Sequence, residues 1–400
     1  MKLLVISAAF PPLKAGEADH AFHLCHRLVK RGLNVHVLTT KNETVTPDLP
    51  FKVHAIMPHW TWSDLPRLAS FLRRCSPDAV LLIYSDQDYN SHPMITFAPS
   101  ISKALIPSSR FVTQFETEYV LRRASLLTRA LLKTTARVAG PKTLDYVFGT
   151  LLAGSDRVIT LSQRHLAGLS ARFDNLERKS VVVPPPALLQ ICSENSGAMR
   201  RRGREKLGVK PDDFLIAYYG YIYAEKGIET LFKAFQILKH QRNNVRLVMI
   251  GGNSGRDDSS HYVSTLREFG GRLGIQNDII WTGEYGSDSD EGSIYLRAAD
   301  AGVFPFKYGV TLNRSSIATA ATHGLPIVTT KGESLESAFI DRENVLLTPP
   351  EDPKSLALAV CSLVDNDAQR QRLQEGALKL AAEYFSWDKA VGRTIEALME

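Results

Sequence analysis

Short apolar runs punctuate the chain: LLVIS at 3–7, VHVLTT at 35–40, AVLLIYS at 79–85, RFVTQF at 110–115 and RVITLS at 157–162. Between them the apolar positions fall at helical spacing. Runs of this length, apolar on both faces and separated by helical patterns, predict parallel strands covered on each side by helices. The alternation pauses between Pro184 and Asp213, a stretch holding PPP and the basic run MRRRGREK. It then restarts with FLIAYYG at 214–220, VRLVMIGG at 245–252, DIIWTG at 278–283, AGVFPF at 301–306 and PIVTT at 326–330. The expected fold class is therefore α/β, with two doubly wound, Rossmann-like parallel-sheet domains facing across a cleft. The domains are placed at residues 1–185 and 213–379, with a hinge-like linker at 186–212. A single parallel barrel would need no such pause.

A length of 400 residues agrees with two domains, and 44% hydrophobic with 22% charged residues describes a globular chain. No apolar run approaches the ~18 residues of a membrane span. The opening MKLLVISAAFPPL reads as a buried strand, because Pro11 and Pro12 interrupt it too early for a signal peptide. Cys25, Cys75, Cys192 and Cys361 have neither zinc-site nor disulfide-framework spacing, which favours a reducing, cytoplasmic setting. The formal net charge of +6 is uneven: residues 1–190 carry 23 Lys and Arg against 14 Asp and Glu, and residues 191–400 carry 25 against 28. A basic first half suits an anionic partner, either a phosphate-bearing acceptor or an anionic membrane surface, or is simply a solvated face.

Open parallel sheets bind ligands at the carboxyl ends of their strands. After the first strand comes FPPLKAGEADH, then a helix whose stripe is expected to be Phe22, Leu24, Cys25, Leu28 and Val29, with Gly32 marking its end. No GxGxxG follows this strand, which argues against a nicotinamide or flavin dinucleotide. Gly16 allows backbone to approach a ligand closely, and Glu17, Asp19 and His20 bring titratable groups to the same edge. In the second domain Lys226 precedes Gly227 in the turn after FLIAYYG, where an ammonium can reach a phosphate near a helix start. Asn313, Arg314, Ser315 and Ser316 stand where another helix begins. Amides, helix dipole and a guanidinium fork there can cradle a diphosphate, although polar residues at a helix start also serve as plain caps. Gly324-Leu325-Pro326 closes that helix, and Gly332 and Glu336 follow on the next loop.

Taken in order, FPPLKAG with His20, RGLNVHVLTT, GYIYAEKGIETLFKAF, LRAADAGVFPF, HGLPIVTT and ENVLLTPPEDPKSLA followed by FSW resemble the family-4 glycosyltransferases of the B-type twin-Rossmann fold (GT-B). The resemblance runs over essentially the whole chain. It implies transfer of a sugar from a nucleotide-sugar donor to an acceptor, mostly with retention, with no metal or other cofactor. It also implies a final segment, 380–400, packing back toward the first domain. Lys226 matches the family's phosphate lysine. Tyr221 stands where the family usually has an arginine, Thr311 and Thr319 where it has two glutamates, and Phe115, next to Glu116, where it has a histidine. Threonine can hydrogen-bond a ribose or sugar hydroxyl but cannot act as a bidentate carboxylate acceptor. The KYGVTLNRSS loop resembles a subgroup with arginine and serine at this place, and Arg314 falls on the phosphate side where the missing arginine would act.

These readings give Lys226, Arg314 and His20 as the catalytic set. Gly16, Thr311, Asn313, Ser315, Ser316, Thr319 and Glu336 are assigned to the donor, and Glu17, Asp19 and Glu116 to a sugar, lipid-linked or small-molecule acceptor. Six Lys and Arg without an acidic residue between Leu121 and Lys142 suit either peripheral contact with anionic lipid or an ordinary helix. Nucleic acid is disfavoured, since no recognition module accompanies the charge. An active transferase in glycan, glycolipid or polysaccharide assembly and a noncatalytic sugar-nucleotide-binding relative both remain open.

Overall fold

The computed structural model describes the chain except residues 43–47, 117–147, 149, 190, 192–195, 253–257 and 284–288. The basic stretch 121–142 and Cys192 lie outside the described residues. The chain divides into two compact units, one of Met1–Pro184 with Asp388–Glu400 and the other of Pro185–Trp387.

In the first unit β1 (Lys2–Ser7), β2 (Asn34–Thr40), β3 (Lys52–Met57), β4 (Ala79–Tyr84), β5 (Arg110–Phe115), β6 (Arg157–Thr160) and β7 (Ser180–Val182) form one parallel sheet. Its order is β3-β2-β1-β4-β5-β6-β7. Leu3 to Ile6 and Ala79 to Leu82 are completely buried, as strands covered on both faces require. The helix Gly16–Lys30 buries Ala18, Ala21, Leu24, Cys25 and Leu28. Phe22 and Val29, expected in that stripe, are only half-buried; Phe22 instead meets Phe10, His26 and Phe51 at its side. Gly32 leaves the helix at φ 84°. The final helix belongs to this unit, through ion pairs Arg31–Asp388 and Arg157–Glu400 and a bond from Arg393 to the Val182 carbonyl.

In the second unit β8 (Phe214–Tyr219), β9 (Val245–Ile250), β10 (Ile279–Gly283), β11 (Ala301–Phe304), β12 (Ile327–Thr330) and β13 (Leu346–Thr348) form a parallel sheet in the order β10-β9-β8-β11-β12-β13. The stretch expected as a linker instead carries a helix, Ser196–Leu207, that is part of this unit. Its basic composition has a structural use. Arg200 and Arg204 both bind the Ala298 carbonyl at the end of the helix Glu291–Ala298, and both pair with Asp300. Asp300 also accepts the Leu215 amide at 2.7 Å, which ties this cluster to β8. Among the described residues, no helix is long and apolar enough to cross a membrane.

In both sheets the strand order reverses beside the first strand, between β1 and β4 and between β8 and β11. Adjacent loops diverge at such a point and open a crevice outside the carboxyl ends of the strands.

The fold also holds two uncharged histidines. His323 Nδ1 donates to the Thr319 carbonyl at 2.8 Å, so Nε2 is the acceptor for the Ser293 hydroxyl, also at 2.8 Å. Burial pushes His323 and His165 each down to about 4. The unfolded chain therefore binds more protons than the folded one between pH 6.5 and 4. We expect stability to be flat above pH 7 and to fall across that window, by up to about 3 kcal/mol for each histidine. Urea denaturation at pH 7.5 and pH 5 checks this, and His323→Gln should reduce the difference.

Candidate active site

The crevice at the β8/β11 reversal is assembled from two loops pressed together. Beyond β8 the chain makes one turn at Ala224–Lys226, passes through Gly227 at φ 72° and enters the helix Ile228–Gln241. A β-carbon on Gly227 would collide with the Pro305 carbonyl oxygen just beyond β11. Glycine is thus required twice, by the left-handed backbone and by the contact. The Lys307 amide donates to the Glu225 carbonyl at 3.2 Å and joins the loops again.

This junction fixes Lys226. Its side chain is buried, with Nζ 4.8 Å from the centroid of Tyr223 and 5.2 Å from that of Phe306. Arg314 is the N-cap of the helix Ser315–Thr322 and makes no side-chain cap bond; its Cζ lies 4.9 Å from the same Phe306 centroid. The loop reaching Arg314 is braced internally. Glu336 accepts the Leu312 amide at 2.6 Å, Thr311 bonds Asn313, and the Arg314 amide donates to the Thr311 carbonyl. Farther along, a β-carbon on Gly309 would strike the Gly332 backbone, and one on Gly332 would strike the Tyr308 carbonyl oxygen.

Three buried polar atoms in this region have no protein partner: Arg314 Nε, Ser316 Oγ and Thr319 Oγ1. Ser316 and Thr319 are three residues apart and so share a helix face, and Ser316 borders Gly220 at the end of β8. Leaving such groups unpaired costs about 1–3 kcal/mol each, so their concentration at one helix start marks a surface suited to a polar ligand. The first-turn amides of Ser315 and Ser316 lie outside the helix's own ladder and add donors. Lys226, Arg314, Thr311, Asn313, Ser315, Ser316 and Thr319 thus gather at one reversal point, whereas Glu336 acts here as the brace of the loop.

The first unit carries a separate polar group. His20 Nδ1 lies 3.1 Å from Glu116 Oε1, and Gln114 Nε2 donates to the same oxygen at 2.6 Å. Both members of the His20–Glu116 pair are almost fully buried. Glu17 and Asp19 occupy the first turn of the helix that begins at Gly16, where negative charge complements the dipole. No atom lies within 4 Å of a β-carbon built on Gly16, so packing does not demand glycine there. Phe115 is enclosed by Tyr84, Phe148 and His165.

Sequence reasoning missed His165, which is buried with neither ring nitrogen bonded, and whose shift downward by burial is opposed by the charge of Glu116. The available signal was its place just after β6, behind the Ser162 cap. It also missed Tyr223 and Phe306, which read as strand-end aromatics. Among the described residues, no three His, Cys, Asp or Glu side chains gather as a metal ion would require.

The fold is that of the GT-B glycosyltransferases. Sucrose-phosphate synthase from Thermosynechococcus elongatus superposes with a TM-score of 0.74 at 16% identity, covering 99% of this chain and 98% of that one. Anabaena HepE in complex with UDP and glucose gives 0.75 at 15%, covering 100% and 99%. Residues 199–380, all within the second unit, match the family described as Glycosyl transferases group 1. By sequence, the chain is 26% identical over 279 residues to the D-inositol 3-phosphate glycosyltransferase of Xylanimonas cellulosilytica, covering 67% of this chain and 64% of the relative. The corresponding enzyme of Corynebacterium glutamicum is 26% identical over 239 residues, covering 59% and 55%. The matched segments thus span between about half and just under two thirds of these relatives.

Gly227→Ala tests the junction. The added methyl must push Pro305 away while adopting a left-handed backbone, so a loss of about 2 kcal/mol or more is expected in urea denaturation. Gly16→Ala should cost far less.

Proposed function

We propose that the protein is a glycosyltransferase that uses a nucleotide-sugar donor, with the diphosphate held against Lys226, Arg314 and the amides of Ser315 and Ser316. The observation that carries this reading is the convergence of two cations on one aromatic ring at the β8/β11 reversal, beside a helix start with unpaired polar atoms. Support comes from the group 1 glycosyltransferase match over 199–380 and from the GT-B neighbour HepE, which was crystallised with UDP-glucose. The resemblance noted in the sequence assigns the protein to a family-4 subgroup lacking the paired glutamates, acting in the cytoplasm in glycan, glycolipid or polysaccharide assembly. Under that assignment Ser316 and Thr319 offer hydroxyls to the donor.

The chemistry demands stabilisation of the charge that develops on the leaving nucleoside diphosphate. Lys226 as a point charge, Arg314 as a fork and the helix start as a set of fixed dipoles supply it without reorganisation. With retention, the anomeric carbon–oxygen bond to the phosphate breaks as the acceptor oxygen attacks from the same face. The acceptor proton passes to the departing phosphoryl oxygen, so no protein nucleophile is required. The acceptor is assigned to the first unit, at His20, Asp19 and Glu116.

Calorimetry with UDP, GDP and ADP tests the donor site. Lys226→Ala should weaken the best of the three about tenfold or more, as expected for a charge-assisted contact. Arg314→Lys should be nearly as damaging to sugar transfer or donor hydrolysis as Arg314→Ala, because an ammonium lacks the bidentate fork, whereas Tyr221→Phe should be mild. Wild-type rates in Arg314→Ala would remove that residue from the site. Tight nucleotide binding without turnover on any nucleotide-sugar would turn the assignment to a noncatalytic binder.

A further inference from the structure

The first unit shows a large aromatic to solvent at the carboxyl end of its sheet. Trp62, just beyond β3, is 48% exposed, whereas Trp60, two residues earlier, is almost completely buried. Trp60 turns the chain through φ 57°, a left-handed backbone that a bulky residue adopts only under constraint. Its indole Nε1 donates to Thr40 Oγ1 at 2.8 Å, at the end of β2, and its ring meets Tyr89 edge-on at 5.0 Å. The Tyr89 hydroxyl donates to the Ile83 carbonyl at 2.9 Å and accepts the Ala8 amide, just past β1, at 3.2 Å. Trp60 is thus the anchor that fixes where Trp62 stands. In the sheet β2 and β1 separate β3 from β4, so the loop after β3 meets the loop after β4 across the ends of both.

At that meeting Trp62 packs against His92 and Phe97, with ring centroids 5.7 and 5.5 Å away. The loop after β4 is itself constrained, with Asn90 at φ 55° and Ser91 at φ 54°. Asn90 Nδ2 donates to the His59 carbonyl at 3.4 Å and ties the two loops again. Three left-handed non-glycine residues thus fall in two touching loops, and strain of this kind gathers where a ligand is held. Ser85, which opens the loop after β4, is buried with an extended backbone and makes no cap bond. Its hydroxyl has no partner among the described residues, so the local structure makes no use of it. The polar groups beside the aromatics are preset. His92 Nδ1 accepts the Met94 amide at 3.2 Å, which leaves the ring proton on Nε2, and the Asp86 carboxylate accepts Ser91 Oγ at 2.8 Å.

We propose that Trp62, with His92 and Phe97 beside it, is a platform on which a sugar ring of the acceptor stacks. This rests on the reading of the protein as a sugar transferase whose first unit holds the acceptor. A pyranose has a face of C–H bonds and a rim of hydroxyls. The face covers an exposed indole, and the rim exchanges hydrogen bonds with side chains such as His92, Asn90 and Asp86. Asp86 and Asp88 place negative charge in the same loop, which suits an uncharged sugar and opposes an anionic membrane surface. The acceptor is thereby narrowed to a molecule that already carries a saccharide.

The test uses the full-length protein with isotope-labelled tryptophan. Its four tryptophans give four indole signals in an NMR spectrum, and Trp62→Phe identifies the one from Trp62. Maltotriose, cellotriose and chitotriose serve as uncharged probes, and vesicles containing phosphatidylglycerol as the anionic surface. At least one saccharide should move the Trp62 signal, while that of Trp281, which carries Arg267 on its ring, stays in place. By calorimetry Trp62→Ala should weaken that saccharide about tenfold or more, and Trp62→Phe less, because the smaller ring still stacks. A Trp62 signal unmoved by all three saccharides, equal movement of the Trp62 and Trp281 signals, or movement with vesicles alone would overturn the platform. The transferase reading fails separately: if UDP, GDP and ADP all leave the wild-type protein unbound, that reading falls, and if one binds while the Trp62 signal stays unmoved, only the platform is lost.

Discussion

The contact between Gly227 and the Pro305 carbonyl is the constraint on which the second unit's site depends. Two parallel strands that neighbour each other at a reversal send their loops apart, and a crevice forms by default. A crevice alone does not bring side chains together. Here the left-handed glycine lets the β8 loop sit directly on the β11 loop, so Lys226 is buried against Tyr223 and Phe306 instead of extending into water. The rest of the loop is then braced by groups that have no charge to spare for a ligand: Glu336 on the Leu312 amide, Thr330 on the Phe306 carbonyl, glycine on glycine at 309 and 332. Rigidity is supplied by backbone contacts and one carboxylate, and Lys226 and Arg314 both lie by the Phe306 ring.

Much of this fold is legible in the apolar runs, because a strand buried on both faces must be apolar at nearly every position. The strands that escaped notice are the ones to which that demand does not apply. β3 is a sheet edge whose KVHAIM is mostly half-exposed, and β7 and β13 are three residues each. The helix Ser196–Leu207 was hidden for a different reason. Its arginines look like solvated linker charge, and only the distant Ala298 carbonyl and Asp300, about a hundred residues away in sequence, give them partners. Long-range pairing of this kind leaves no local pattern.

The site divides along the same line. Lys226 and Arg314 could be placed from sequence because each stands where a strand hands over to a helix, a position with its own chemistry. Phe306 could not, since an aromatic at a strand end reads as core, and its contacts with Lys226 and Arg314 appear only when the two loops are seen together. Glu336 is the converse case. A carboxylate on a crevice loop reads as a ligand group, and what the sequence hides is that its Oε2 also accepts the buried Leu312 amide at 2.6 Å and braces the loop.

Thr311 and Thr319 can be understood through charge. In a site built to hold a diphosphate, every carboxylate beside the ligand subtracts from the cations' effect, and the subtraction grows as water is excluded. Glutamates serve such a site only where their oxygens are spent on hydroxyls. Here Thr319 is completely buried on the same helix face as Ser316, and Thr311 is tied to Asn313 within the loop, so neither place brings a second carboxylate near Arg314. Arg314, the N-cap, lies over the Phe306 ring and has no ion pair among the described residues. The hydroxyls of Thr311 and Thr319 and the guanidinium at the helix start therefore act together in physical terms: neither hydroxyl subtracts from the positive potential of that helix end.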